Sequence, residues 1–306
     1  MEDSPDKQLR GPSLTARVPN TGRLNFWGGR MTLKFSFRAA ALGLVAAMGL
    51  AGFGSHAEAQ TLEKIKEAGV VRIGVMGEQA PWGSIDASGQ NIGYDVDVAR
   101  LIADELGVKV EFVPGAVAAR IPNLLTGKVD LQMAVMGMYP ERAKVVQFTE
   151  PYAGLKIILL SSAKNKIETI EDARSMNIGV PRGAAQDTAI TKLLGDVPNI
   201  RRFDDDSSTM QALVSGQVDA IGGNTTYKIN LDKAAPGNDF EQKVVFQEQW
   251  MGVATKPGDK EANDWLNAFI QKIKADGRLE AISQKWLGAG LPQFPASLEG
   301  VPYTVQ

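Results

Sequence analysis

The side chain with the clearest chemical use is Arg142, in the stretch 137–152, GMYPERAKVVQFTEPY. That stretch follows an apolar run, residues 131–136, and turns through Gly137 and Pro140. Such a run ended by turn residues reads as a central strand delivering a loop to a sheet edge. In open α/β sheets, ligands sit outside the carboxyl ends of the strands. An arginine there, near the start of a short helical stretch with free N–H groups, makes a seat for a carboxylate or a phosphate. The competing reading is a surface arginine paired with a neighbouring glutamate. The run Asp204, Asp205, Asp206 reads as solvated cap and loop, with a metal site as the lesser alternative.

Much catalytic chemistry is excluded by composition. The 306 residues contain no cysteine, which removes thiolate catalysis, disulfides and Cys-ligated metals. The one histidine, His56, falls in a segment expected to be removed. Lys34 and Arg38 form a basic n-region, residues 39–54 are an apolar stretch, and Ala57-x-Ala59 is a small-residue cleavage site before Gln60. The apolar stretch is shorter than the ~20 residues a membrane span needs. Met31 is the expected start, with residues 1–30 an upstream or flexible extension and 31–59 the signal peptide. Without histidine, the mature chain lacks imidazole acid–base catalysis and His-ligated metals, so no cofactor or metal is expected. Residues 1–59 hold seven Lys and Arg against four Asp and Glu, leaving 26 basic and 31 acidic side chains, a net −5. That balance argues against nucleic acid or an anionic membrane as partner.

The positioning elements follow from periodicity and turn chemistry. A helix is expected over 61–68, closed by Gly69, then a strand over 70–76 and a loop over 77–93 with Pro81, Trp82 and Gly89. A helix over 95–106 stops at Gly107, a strand covers 108–113, a short helix 120–125, and a strand 131–136. An apolar run at 155–161 leaves this unit, and a second unit repeats the grammar. It has strands at 177–180, 200–203 and 219–222, with helices over 184–194, from Ser208 with Gln211 as a capping-box pattern, and over 225–234. Residues 240–247 return to the first unit, 251–254 form a strand, and two amphipathic helices carry Ala262, Trp265, Leu266, Phe269 and Ile273, then Leu279, Ile282 and Trp286. The tail from 290 carries three prolines and is expected to drape over a lobe. The order predicts α/β lobes, each a central mostly parallel sheet with flanking helices. Lobe 1 comprises 60–154 with 249–306, lobe 2 comprises 155–248, and two crossover segments make a hinge that closes on a ligand.

These pieces in this order resemble the family 3 periplasmic solute-binding proteins, the amino-acid-binding components of ABC importers. The carriers are VRIGV at 71–75, APW at 80–82, IGYDVD at 92–97 with ARL at 99–101, RIP at 120–122, GKVD at 127–130, PER at 140–142 and FTEPY at 148–152. The second lobe adds IGV at 178–180, RG at 182–183 and SGQVDA at 215–220, and the end adds KADG at 274–277 and KWL at 285–287. The resemblance implies a type II periplasmic binding protein fold. It assigns Arg142 to the ligand's α-carboxylate and Arg120 to a second carboxylate, with a structural salt bridge as the alternative for Arg120. It puts Trp82 in the loop that packs on the ligand, with core packing as the alternative. Arg182 would add a third cation or face solvent.

The departures are also informative. A hydroxyl residue that usually helps hold the carboxylate is Gly137 here. The second-lobe Ser/Thr pair is Ala184 and Ala185, leaving backbone N–H groups. The acid that normally pairs with the ligand's α-ammonium is Asn224, so the ammonium site is expected to be weakened or absent unless Glu78 or Asp86 substitutes. The resemblance therefore implies a monomeric periplasmic receptor that presents a polar amino acid or related carboxylate to a membrane permease. Two alternatives use the same cleft. One is an enzyme resembling a periplasmic cyclohexadienyl (prephenate) dehydratase, disfavoured because Asn224 cannot act as general acid near neutral pH. The other is a ligand-sensing receptor.

Overall fold

A computed structural model of the chain describes residues 61–195 and 199–305. The expected signal peptide over 31–59 and the extension over 1–30 lie outside the described residues.

The chain builds two five-stranded sheets. In the first, Lys109–Pro114, Val70–Val75 and Leu131–Gln132 pair in parallel, and Ala254–Thr255 and Gln147–Phe148 add antiparallel. In the second, Ile200–Phe203, Ile178–Pro181 and Ala220–Asn224 are parallel, and Ala153–Ser162 and Phe240–Met251 add antiparallel. Each sheet is therefore mixed, with four of its five strands running the same way, in keeping with the mostly parallel arrangement its β-α-β order suggests. The antiparallel pairings come from one reversed strand in each sheet, Ala254–Thr255 in the first and Ala153–Ser162 in the second.

The long strands Ala153–Ser162 and Phe240–Met251 run side by side from the first sheet into the second. Successive side chains of a strand point to opposite faces. Ile158 and Leu160 thus pack with Ile221, Tyr227 and Leu231, while Leu159 packs on the other face with Ile178, Val180 and Ile190. The first sheet's main core gathers Ile73, Trp82, Tyr94, Ile102, Leu131 and Tyr152 with the helices Tyr94–Leu106, Lys260–Ala275 and Arg278–Leu287. The tail packs on the same sheet: Val301 joins Phe148 and Ala254 in a separate cluster, and Asn267 donates to the Tyr303 carbonyl.

Several elements differ from expectation. The 77–93 loop folds into a small sheet of Glu78–Gln79, Gly83–Ile85 and Asn91–Ile92. The strand expected over 131–136 keeps only Leu131–Gln132, because Ala134 and Val135 take positive φ angles of 47° and 53°. The helix expected from Ser208 is Asp206–Val214, since Asp205 is the N-cap and its Oδ1 accepts the Ser208 N–H. The segment 240–247, expected to return to the first unit, is part of a strand that runs on to Met251.

Candidate functional site

Three parallel strands of each sheet end facing the other sheet, and the residues after those ends meet in one small cavity of about 20 Å³. Gln79 follows Val70–Val75, Arg120 follows Lys109–Pro114, and Val135 follows Leu131–Gln132. From the second sheet, Ala184, Ala185 and Gln186 follow Ile178–Pro181, Asp206 follows Ile200–Phe203, and Asn224 ends Ala220–Asn224. Val117, Arg142, Ile157 and Gln249 complete the wall. This is the crevice outside the carboxyl ends of strands where α/β sheets bind ligands.

Arg142 sits in the short helix Pro140–Ala143, led by Pro140. Its Nη1 donates to the Gly137 carbonyl at 3.1 Å, and its guanidinium lies 5.3 Å over the Tyr139 ring. Burial, with the Arg120 charge adding to it, pushes the Arg142 pKa down to about 10. Arg120 opens the helix Arg120–Leu125 and is only 7% exposed. Burial lowers its pKa, and the charges of Asp206 and Asp95 oppose that. Its Nη2 donates to Met76 Sδ at 2.7 Å, whereas its buried Nε has no partner among the described residues. The same is true of the buried Nε2 of Gln79. A buried and a half-buried arginine near one another, with unpartnered donors beside them, favour an anionic ligand atom in the space between.

Asn224 is oriented by its neighbours. Its Oδ1 accepts both the Thr226 N–H at 2.9 Å and the Thr226 hydroxyl at 2.6 Å. A backbone N–H only donates, so the oxygen of the amide must face Thr226, leaving the NH₂ end for other partners. The helix Ala185–Leu194 has no side-chain cap at Ala184, so its leading N–H groups also remain available beside the cavity. The cavity wall is thus rich in donors. Asp206 is its acidic residue, 4% exposed, with Oδ1 accepting the Tyr227 hydroxyl. Burial raises the Asp206 carboxyl, against the pull of Arg120.

Of the residues singled out in the sequence, Arg120, Arg142, Ala185 and Asn224 line the cavity together. The other three lie elsewhere. Trp82 is fully buried 5.2 Å from the Tyr94 ring, and its indole N–H donates to Thr226 Oγ1 at 3.0 Å. Gly137 lies behind the wall. A Cβ there would come within 2.5 Å of the Tyr139 ring and 2.7 Å of Gln249 Oε1, so Tyr139 and Gln249 fill the space a hydroxyl side chain would take. Arg182 is exposed and donates to the Arg202 carbonyl. Neither Glu78 nor Asp86 lines the cavity: Asp86 closes its own turn by accepting from Ser88 and Gln90.

Gln79, Gln186 and Gln249 were passed over in the sequence, and Asp206, expected with Asp204 and Asp205 to be solvated cap and loop, is instead buried in the cavity wall. The signal available for Asp206 was its place at a strand's carboxyl end, equivalent to the places of Arg120 and Asn224.

Among the described residues, several hydrogen bonds cross between the two sides of the cleft. Trp82 Nε1 reaches Thr226, Asn230 Nδ2 reaches the Ala80 carbonyl at 2.7 Å, Ser207 Oγ reaches the Glu78 carbonyl at 3.4 Å and Arg142 Nη2 reaches the Gly183 carbonyl at 3.5 Å. Among the described residues, no helix is long and apolar enough to cross a membrane, and no group of His, Cys, Asp or Glu could hold a metal ion.

Known proteins resemble this chain along most of its length. The L-cystine-binding protein TcyJ of Escherichia coli K12 is 27% identical over 85% of this chain and 98% of its own. Among solved structures, the L-cysteine solute receptor of Neisseria gonorrhoeae is 32% identical with a TM-score of 0.68, covering 74% of this chain and 93% of the receptor. An ancestral amino-acid-binding protein, described as a precursor of cyclohexadienyl dehydratase, is 33% identical with a TM-score of 0.65, covering 74% of this chain and 98% of its own. The fold is that of the type II periplasmic binding proteins. The profile of the bacterial extracellular solute-binding proteins, family 3, matches residues 71–289, and the chain belongs to that family.

Proposed function

We propose that the protein is the periplasmic receptor of an amino-acid ABC importer, closing two lobes on a small polar amino acid and presenting it to a membrane permease. The observation that carries this reading is the donor-lined cavity between two sheets, with Arg142 and Arg120 at its wall and unpartnered buried donors at Arg120 Nε and Gln79 Nε2. Arg142 takes the α-carboxylate, helped by N–H groups at Ala185 and Gln186, and the Asn224 amide donates to a ligand oxygen. The hinge lies in Ala153–Ser162 and Phe240–Met251, with 60–154 plus 249–306 moving against 155–248. Residues 31–59 direct export, and the receptor works as a monomer.

A thermal-shift screen of ligand-stripped protein tests this. An amino acid at 100 times its Kd should stabilise the protein by about 2.7 kcal/mol. Arg142→Gln should weaken binding by tens- to thousands-fold, the ~2–5 kcal/mol that follows loss of one partner of a buried charge pair. An unchanged affinity in that variant would remove Arg142 from the site.

One observation favours a second reading. Asp206 puts a carboxyl raised by burial into the cavity, a candidate proton donor that Asn224 is not. Prephenate turnover by purified protein, lost in Asp206→Asn, would establish a dehydratase. We infer binding without turnover, so no turnover is expected.

A further inference from the structure

We propose that Tyr139 is a positioning residue that couples the Arg142 guanidinium to the hinge, its hydroxyl latching the strand Phe240–Met251 when the lobes close. Tyr139 does not line the cavity. Its role rests on the reading of the cleft as an amino-acid site closed by a hinge.

Among the described residues no carboxylate pairs with Arg142. Carbonyl oxygens accept from its guanidinium, and the Tyr139 ring lies 5.3 Å from it. A ring face attracts a cation, so the place of Tyr139 decides the place of Arg142. The backbone reinforces this, since Tyr139 is the N-cap of the helix Pro140–Ala143 and its carbonyl accepts the Arg142 N–H at 3.0 Å. The ring in turn is held at its hydroxyl. Burial raises the Tyr139 pKa to about 12, so the hydroxyl keeps its proton. It donates to Gln249 Oε1 at 2.8 Å and accepts from Gln247 Nε2 at 3.0 Å. Gly137 admits this arrangement, because a Cβ there would collide with both the Tyr139 ring and the Gln249 amide.

The two glutamines stand on opposite sides of the hinge boundary. Residues two apart on a strand share a face, so both reach one hydroxyl from Phe240–Met251. With 60–154 and 249–306 moving against 155–248, Gln249 travels with Tyr139 and Gln247 with the opposite lobe. Backbone contacts fix the first of these: Gly137 bridges Met251, the Met138 N–H donates to the Trp250 carbonyl at 2.9 Å, and Gln249 Nε2 donates to the Val135 carbonyl at 3.2 Å. The ladder to Ala153–Ser162 shifts register between Val245 and Gln247, immediately before the hydroxyl's second partner. Such an irregularity is where a paired strand bends. The Gln249 bond therefore persists as the hinge turns, and the Gln247 bond is the one that hinge motion makes or breaks. Closing fixes the hydroxyl between two partners and the ring under the guanidinium. Opening removes one partner and leaves Arg142 less confined.

Calorimetric titration of the ligand-stripped full chain with each common L-amino acid identifies the tightest binder. That amino acid is then the probe for Tyr139→Phe, Gln247→Leu and the double variant. Tyr139→Phe keeps the ring over Arg142 and removes the hydroxyl, so it should raise Kd about five-fold, as loss of one net hydrogen bond does. Gln247→Leu should raise it by a similar factor. The double variant should bind no more weakly than the weaker single variant, because both remove the same bond. The loss should appear in the dissociation rate, with association nearly unchanged, since the bond forms after the amino acid has entered. A merely structural role would lower stability to urea in these variants and leave Kd and the dissociation rate where they were. Unchanged affinity in Tyr139→Phe, or losses that multiply in the double variant, would overturn the coupling while a weakened Arg142→Gln still upholds the site. Failure of every amino acid to bind the wild-type protein would instead remove the reading of the cleft, and the coupling with it.

Discussion

Asp95 sits behind the cleft wall, fully buried, and accepts the Val135 N–H and the Tyr152 hydroxyl at 2.8 Å each. Burial outweighs those two donors and pushes its carboxyl up from 3.8 to about 6. Between those values the folded chain holds a proton that the unfolded chain has released, so stability falls as pH rises from about 4 to 6. At ~1.4 kcal/mol per pH unit this one group contributes roughly 3 kcal/mol across the window. Asp95→Asn keeps an acceptor for Val135 and removes the titration. Urea denaturation of the two proteins at pH 4, 5 and 6 should therefore give a steeper fall for wild type, and parallel curves would show that Asp95 does not titrate there. At this scale the sequence was uneven. Arg120, Arg142 and Asn224 stood out because each occupies a strand end with an identifiable motif, and all three line the cavity. Asp206 did not, because three consecutive aspartates read as a solvated cap and only the fold shows that Asp205 caps while Asp206 turns inward.

The helix Asp206–Val214 makes that division of labour testable. Asp205 Oδ1 accepts the Ser208 N–H at 2.7 Å, which fixes where the helix begins and so which aspartate enters the cavity. Asp205→Ala should cost about 1 kcal/mol of stability through loss of the cap, and should also weaken ligand binding, although Asp205 does not line the cavity. Asp205→Ser restores a capping oxygen and should recover both. Recovery of stability without recovery of affinity would separate the cap from the site. Elsewhere the elements most legible in the sequence were those ended by their own residues. The helices Thr61–Ala68 and Tyr94–Leu106 stop at Gly69 and Gly107, both in the left-handed region that glycine adopts without strain. The strand expected over 131–136 was not legible to its end. Its apolar run fits a strand, yet the Val135 N–H is drawn to Asp95 and its carbonyl to Gln249, forty and 114 residues away in the chain. A left-handed β-branched residue costs on the order of 1–3 kcal/mol, and only those distant partners hold it there.

At the scale of the whole molecule, the two long strands Ala153–Ser162 and Phe240–Met251 are paired along nearly their full length, with register shifts between Gln242 and Val244 and between Val245 and Gln247. They join both sheets, and hydrogen bonds of Trp82, Asn230, Ser207 and Arg142 also tie the two sides across the cleft. A ligand between the sides must share the cost of closure with those ties, so a tie that never touches ligand should still appear in the affinity. Asn230 provides the cleanest case. Its Nδ2 donates to the Ala80 carbonyl at 2.7 Å from the helix Tyr227–Ala234, and it does not line the cavity. Asn230→Ala removes one such bond, worth ~1 kcal/mol net, which corresponds to about a five-fold rise in Kd if the bond forms only on closing. Calorimetry would measure that rise. Small-angle scattering would then show the variant more expanded than wild type at equal sub-saturating ligand, and equally compact once both are saturated. An unchanged Kd would mean that the Asn230 bond exists in the open form as well, and that the closing energy resides instead in the chain from the Trp82 indole through Thr226 to Asn224.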